Sequence, residues 1–458
     1  MATFSFFQNR LGRTDGVSLE VDKWRTILRD RMGHKVRYCS GNPEIKTNYV
    51  IDELYAQHPK TWKILQNATV EFADYQSEQE LELDIYNHAD VIEQKLLDFI
   101  EKEKIDVLVP NNLCSGGYQP AAAIAFHRVM RKTGLPSIIH SHDFYFEDSK
   151  EVQATCHTVE SIYDRYFPTK LPNVRHVVIN SIAQMELKKR KGLNAMVVPN
   201  VFDFDQPRWE PDGYNQDFRK SFGIGKDDIV FLQATRILDR KCIELAIDVV
   251  SEIDHGVLRK ELEGVSTAGG GGFKKDARII LLCEGIVETI GISADYWNAL
   301  QDKAKKLKVD LLYAGDRVKH SRGDAPDGGK GYSLWDSYVY SDFVTYPSIW
   351  EGWGNQFIEA VFAKLPVMVF EYPIWKSDIV VNGFQVVSLG DEIAGMNDKG
   401  LACVPQNVVK AAASRIVEIL VTPKLKEEMV ENNYVIGKNK YSYDVLEKLI
   451  RQLTADIV

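Results

Sequence analysis

Between Tyr346 and Ala360 the sequence reads YPSIWEGWGNQFIEA, a strand end that passes through a glycine-bearing loop into a helix predicted to open near Asn355. The first turn of a helix leaves backbone N–H groups without intrahelical partners, and the helix dipole adds partial positive charge there. Such a turn suits a diphosphate or an electron-rich sugar oxygen. Gly352 and Gly354 let the backbone come close to that ligand, and Asn355, Gln356 and Phe357 form the turn itself. Glu351 lies on the loop, where a carboxylate can accept hydrogen bonds from sugar hydroxyls; Glu359 lies one helical turn inside, placed to grip a ribose diol. Two glutamates eight positions apart carry little weight alone in a chain with 65 acidic residues. The flanks, Pro347 and Ser348 before and Ala360 after, make the pattern specific.

With those flanks, Glu351 to Glu359 resembles the Glu-x7-Glu signature of the retaining GT-B glycosyltransferases of the glycogen-synthase-like and mannosyltransferase-like group. Further motifs follow in that family's order. The stretch TRILDRK, Thr235 to Lys241, comes after a strand and before a helix. Its Arg236 and Lys241 resemble the family's arginine–lysine pair that binds the donor diphosphate, with Arg240 the weaker competitor. Fixed cations at the bond being broken stabilise a departing diphosphate more in the transition state than in the ground state. Read without the family, the same cations are surface charges on a solvated helix start.

Gly16, within the stretch from Gly12 to Glu20, stands where the family carries a glycine-rich loop that approaches the diphosphate, although the usual adjacent glycine pair is here Asp15 and Gly16. Alone it is a plain turn residue. SIIHSHD, Ser137 to Asp143, ends a strand and resembles the segment whose histidine faces the reacting sugar, which makes His142 an active-site hydrogen-bonding residue and leaves His140 to pack. In extended backbone the two histidines share a face, so zinc or iron is a competing use, but the nearby sequence offers no third ligand. Asp203 and Asp205 superficially look like a metal-binding Asp-x-Asp; they follow Val198, Pro199 and Asn200 and match a turn before the linker instead. No metal and no cofactor is expected, the nucleotide sugar being a substrate.

The resemblance runs from about Gly12 to about Leu446. It implies a hexosyltransferase that moves glucose or mannose, from UDP-glucose or GDP-mannose, to a soluble small-molecule or saccharide acceptor with retention of configuration. The acceptor hydroxyl would attack from the front face and the leaving phosphate would take its proton. Two rival enzymes share the architecture, a sugar phosphorylase and a nucleotide-sugar epimerase. A catalytically silent nucleotide-sugar-binding protein is the rival outside enzymology.

Positioning these residues requires parallel sheets, because ligands of open α/β sheets sit outside the carboxyl ends of the strands. Short β-branched runs alternate with longer amphipathic ones throughout, the pattern of a doubly wound α/β fold. Strands are predicted at 35–39, 70–73, 106–110, 136–140, 176–180 and 195–199, and again at 229–234, 278–283, 310–314, 343–346, 367–370 and 385–387. Residues 202–215, with two prolines, a glycine and many polar groups, read as a linker. The predicted organisation is a Rossmann-like acceptor domain over 1–205, a Rossmann-like donor domain over 216–438, and a C-terminal helix over 439–458 that packs back towards the first. The two sheets are expected to face a shared cleft. The glycine run at 266–272 reads as a flexible surface loop, since no Lys-Ser or Lys-Thr follows it as a phosphate cradle requires.

A formal charge of -9 on 458 residues argues against a general nucleic-acid partner. Six scattered cysteines without a CxxC pair fit reduced thiols. No stretch approaches the ~20 apolar residues of a membrane span, so a cytoplasmic location is expected. The basic run at Lys188, Lys189, Arg190 and Lys191 closes a predicted helix, where cations suit the dipole; contact with anionic lipid is the alternative use. Oligomeric state is not readable from these patterns.

Overall fold

The computed structural model describes residues 1–11, 16–42, 49–147, 152–288 and 295–457. Two compact units account for it: Met1–Val201 with Tyr443–Val458, and Phe202–Ser442.

All six residues of Thr3–Gln8 (β1) are buried, as a strand covered on both faces demands. Parallel pairing joins it to Lys35–Ser40 (β2) and Val107–Pro110 (β4). Tyr49–Val50 (β3), Ser137–Ser141 (β5), Val174–Val178 (β6) and Ala195–Val197 (β7) complete a sheet of order β3-β2-β1-β4-β5-β6-β7. This central strand was absent from the sequence-based set, because TFSFFQ holds a single β-branched residue. The run 70–73, predicted as a strand, is not one. Val70 ends the helix Pro59–Thr69, and the N–H groups of Ala73 and Asp74 donate to Asn67 Oδ1 at 2.9 and 2.8 Å, which uses the donors a sheet would need.

One face of this sheet packs on helices Glu78–Glu103 and Pro120–Thr133, through Leu81, Ile92, Phe99 and Phe126. The other face packs on helix Gly16–Thr26 and on the terminal helix Tyr443–Thr454, whose Leu446, Ile450 and Leu453 join Phe4, Trp24 and Val109.

In the second unit Ile229–Gln233 (β8), Ile279–Cys283 (β9) and Asp310–Tyr313 (β10) are followed by three short strands, Val318–Lys319 (β11), Gly323–Asp324 (β12) and Lys330–Ser333 (β13), which form their own small sheet. Phe343–Tyr346 (β14), Val367–Val369 (β15) and Val387–Ser388 (β16) complete the main sheet, of order β10-β9-β8-β14-β15-β16. Its pairings are all parallel. Helix Ile243–His255 buries one side along almost its whole length against this sheet.

The glycine run at 266–272 is packed, contrary to the flexible loop expected. Thr267 Oγ1 donates to the Lys226 carbonyl and Ala268 N–H to Asp342 Oδ1. A Cβ at Gly269 or Gly271 would meet the Lys226 carbonyl oxygen at 2.5 or 2.7 Å, so the glycines serve close backbone approach. Among the described residues no helix is long and apolar enough to cross a membrane.

Candidate active site

The main sheet of the Phe202–Ser442 unit reverses its winding between β8 and β14, and open parallel sheets bind ligands at such a switch point. Lys241 follows β8 and Glu351 follows β14, so topology alone brings one cation and one carboxylate to the same crevice. After β8 the chain turns through a short 3-10 segment, Asp239–Lys241, which ends at Cys242 with φ +45°. That left-handed residue also precedes helix Ile243–His255 and turns Lys241 inward. The Ile349 N–H donates to the Arg240 carbonyl at 3.1 Å, stitching the two loops together.

Side chains complete the junction. Lys241 Nζ donates to Glu351 Oε1. Arg240 Nη1 donates to Glu351 Oε2 at 3.0 Å and to the Trp350 carbonyl at 2.8 Å, with its guanidinium 5.2 Å from the Trp350 ring centre. Burial favours the neutral Glu351 carboxyl, but the Lys241 ammonium, the Arg240 guanidinium and the Ser348 hydroxyl outweigh it and hold its pKa at about 2. For Lys241 burial is the largest influence and draws the ammonium down to about 8 against the pull of Glu351. Both groups are therefore charged at neutral pH.

The loop then enters helix Asn355–Phe362, whose ladder begins with Ile358 N–H donating to the Gly354 carbonyl at 3.2 Å. The Gln356 and Phe357 N–H groups lie ahead of that bond, in the turn where a helix offers donors to an anion. Position 354 must be glycine for a local reason: a Cβ would stand 2.6 Å from the Tyr372 hydroxyl oxygen, which donates to the Trp353 carbonyl at 2.6 Å. Half-buried Glu359 receives the Tyr338 hydroxyl at 3.0 Å. The Phe357 ring is fully buried edge-on against Trp375 and Phe384, at 4.9 and 5.0 Å, so this turn presents the backbone N–H of Phe357 rather than its side chain.

Arg236 does not join the Lys241–Glu351 pair. Its side chain is 54% exposed and bonds Glu288 at 2.8 Å, just beyond the bridge between Ile237 and Val287. The arginine that reaches Glu351 is Arg240, the one sequence reasoning ranked lower. Its signal in the sequence is adjacency to Lys241 in the loop that follows β8.

In the first unit the sheet order reverses between β1 and β4. Asn111 directly follows β4, and its Oδ1 lies 3.1 Å from Nε2 of the buried His142, at the end of β5. Asn112, at φ +58°, accepts the His142 and Asp143 N–H groups through Oδ1, both at 3.1 Å, and so fixes the turn that carries the ring. His140 packs between Trp24 and His142, its ring centre 4.8 and 4.4 Å from theirs. Burial, and then the neighbouring His142, push the His140 pKa well below the usual range, so it stays neutral. Gly16 is exposed and opens helix Gly16–Thr26; Gly12, Arg13, Thr14 and Asp15 of the same stretch lie outside the described residues. Among the described residues no group of three His, Cys, Asp or Glu side chains is placed to hold a metal ion. Asp205 N–H instead donates to Asp203 Oδ1 at 3.0 Å, making a local turn.

Sequence reasoning also missed Tyr338, Asn111 and Glu284. Glu284 is buried just after β9, and burial, with Glu359 and Asp336 nearby, raises its pKa well above the usual carboxylate range against the Ser337 hydroxyl. None of the three sits in a motif; each is recognisable only by its place at a strand end or on the neighbouring helix.

No protein-family model matches the chain. It is 38% identical over 442 residues to the mannosylglucosylglycerate synthase of Petrotoga mobilis, covering 96% of this chain and 98% of that protein. Identity to the mannosylglucosylglycerate synthase of Thermotoga maritima is 37% over 444 residues, covering 96% and 97%. In fold it is similar to sucrose-phosphate synthase from Thermosynechococcus elongatus, with a TM-score of 0.60 over 99% of this chain and 100% of that one, at 12% identity.

Two Rossmann-like units together with these relatives define a GT-B glycosyltransferase, an enzyme that moves a sugar from a nucleotide-sugar donor to a small-molecule acceptor. Within that class the chain belongs to the mannosylglucosylglycerate synthase family.

Proposed function

We propose that the chain transfers mannose from GDP-mannose to glucosylglycerate, with retention at the anomeric carbon. The relatives' name supplies the product, and the observation that carries the reading onto this chain is the buried Lys241–Glu351 pair at the switch point. In this reading Lys241 and the exposed Arg236 stabilise the charge that develops on the departing diphosphate, where fixed cations act most strongly. Glu351, held ionised by Lys241 and Arg240, accepts hydrogen bonds from the sugar hydroxyls. Glu359, oriented by the Tyr338 hydroxyl, takes the ribose diol, and the first-turn N–H groups of Asn355, Gln356 and Phe357 follow Gly354 around the donor.

The N-terminal unit selects the acceptor, with His142 as its hydrogen-bonding residue. Front-face attack by the acceptor hydroxyl, its proton passing to the leaving phosphate, needs no protein nucleophile. No metal or other cofactor is called for, the charge on the leaving group being met by side chains.

The test is the reaction followed by proton NMR with GDP-mannose and glucosylglycerate. A new mannoside with the donor's α configuration supports the reading. A β-mannoside overturns retention, and sugar release that requires inorganic phosphate and no acceptor supports a phosphorylase instead.

A further inference from the structure

A groove of about 670 Å³ runs between the chain at 206–215, the segment 320–322 and the helix Leu334–Val339, and its lining includes none of Arg240, Lys241, Glu351 and Glu359. Its size falls in the ~300–1,000 Å³ range of small-molecule sites. One wall is aromatic. The rings of Trp209 and Trp335 lie 5.8 Å apart at 37°, and His320 meets Trp335 edge-on at 4.9 Å.

The other wall is polar and rigid. Arg322 donates through Nε and Nη2 to Asp336 at 3.0 and 2.6 Å, and its Nη1 pairs with Asp212 at 2.7 Å. Those three contacts fix the guanidinium plane and leave two of its five N–H donors for something else. Asp336 is itself immobilised, since it completes the capping box of the helix Leu334–Val339 with Ser333 and accepts from Asn215 at 3.0 Å. Tyr214 lies under the guanidinium, 4.7 Å from ring centre to carbon.

We propose that this groove binds a neutral saccharide, separately from the donor and acceptor of the transfer reaction. A pyranose has an apolar C–H face, which an indole covers, and a rim of hydroxyls, which planar charged side chains bind in pairs. Such a site rewards side chains that are locked before the ligand arrives, because no rotamer freedom is then lost on binding. The charge count excludes the obvious alternative. Arg208 and Arg322 line the groove against Glu210, Asp212 and Asp336, so two cations face three carboxylates and a phosphate or carboxylate ligand would be repelled.

The test needs no donor sugar and no turnover, and only its GDP control rests on the transferase reading. Maltose and mannobiose are titrated into the full chain saturated with GDP, with binding read by saturation-transfer NMR. At least one disaccharide is expected to bind saturably. Trp335→Ala, which removes the platform, and Ser321→Trp, which fills the groove, should each weaken that binding at least tenfold while GDP affinity stays within twofold. Should Trp335→Ala fail to fold, Ser321→Trp decides alone. The proposal is overturned if neither disaccharide binds the wild type, if the folded variants bind as well as the wild type, or if glucuronate competes more tightly than the neutral sugars.

Discussion

Lys241 and Glu351 stand 110 positions apart in the sequence and form one buried ion pair, with Arg240 holding the second carboxylate oxygen. Such a pair is a poor device for stability, because desolvation offsets most of the attraction. Placed at a switch point, it is a preorganised set of charges that needs no rearrangement when a substrate's charge develops.

Removing Lys241 therefore leaves the buried Glu351 carboxylate balanced by Arg240 but no longer by a buried ammonium. Lys241→Met is expected to lower stability by up to ~3–5 kcal/mol, and Lys241→Met with Glu351→Leu to recover most of that loss without recovering turnover. Thermal melts beside rate assays check this. A single variant as stable as the wild type would contradict the burial of the pair.

Arg236 gives the opposite pattern. Its side chain is exposed and pairs with Glu288, so Arg236→Ala should leave stability within ~0.5 kcal/mol. Donor affinity should fall about tenfold, an effect of ~1.4 kcal/mol. Titration calorimetry with GDP reads the second effect. Unchanged GDP affinity would remove Arg236 from the donor site.

Gly354 and Tyr372 are coupled by contact. Gly354→Ala places a methyl 2.6 Å from the Tyr372 hydroxyl oxygen and should cost ~1–3 kcal/mol through overpacking. Tyr372→Phe removes the obstructing atom, so the double variant should melt above Gly354→Ala alone. A double variant no more stable than the single would place the strain elsewhere.

Glu284 predicts a pH dependence. Burial, reinforced by Glu359 and Asp336 against the Ser337 hydroxyl, raises its folded pKa well above the ordinary carboxylate range. The unfolded chain releases this proton first, so the group's contribution is full below the ordinary pKa and is lost as pH rises towards the folded value. Glu284→Gln should therefore raise the melting temperature at pH 8 and change it little at pH 4.5, by roughly 2–4 °C for each kcal/mol gained. An equal shift at both pH values would contradict the raised pKa.

Much of this was legible in the sequence where residue type and local order carry the information. The loop from Tyr346 to Glu359 and the cation-bearing turn after β8 were visible because a strand, a glycine or cationic turn and a helix follow one another without interruption. That Lys241 meets Glu351 was not, since the contact depends on β8 and β14 being neighbours in the sheet. The choice between Arg236 and Arg240 likewise depends on the course of the loop after β8, which leads Arg236 to Glu288 and, through the 3-10 segment, Arg240 to Glu351. That the Phe357 ring turns to the core while its backbone stays in the turn was hidden as well, since it depends on Trp375 and Phe384 packing there. β1 escaped a reading based on β-branched runs because its apolar residues are phenylalanines, which favour strands as well.

The central claim is that a donor diphosphate departs against Lys241, so the most direct measurement is the initial rate of GDP release from GDP-mannose in the presence of glucosylglycerate, for the wild type and for Lys241→Ala confirmed as folded. The predicted result is acceptor-dependent release that falls by ~10²–10³ in the variant, the loss expected when one preorganised stabilising group is removed. Release at a near-normal rate from folded Lys241→Ala would contradict it.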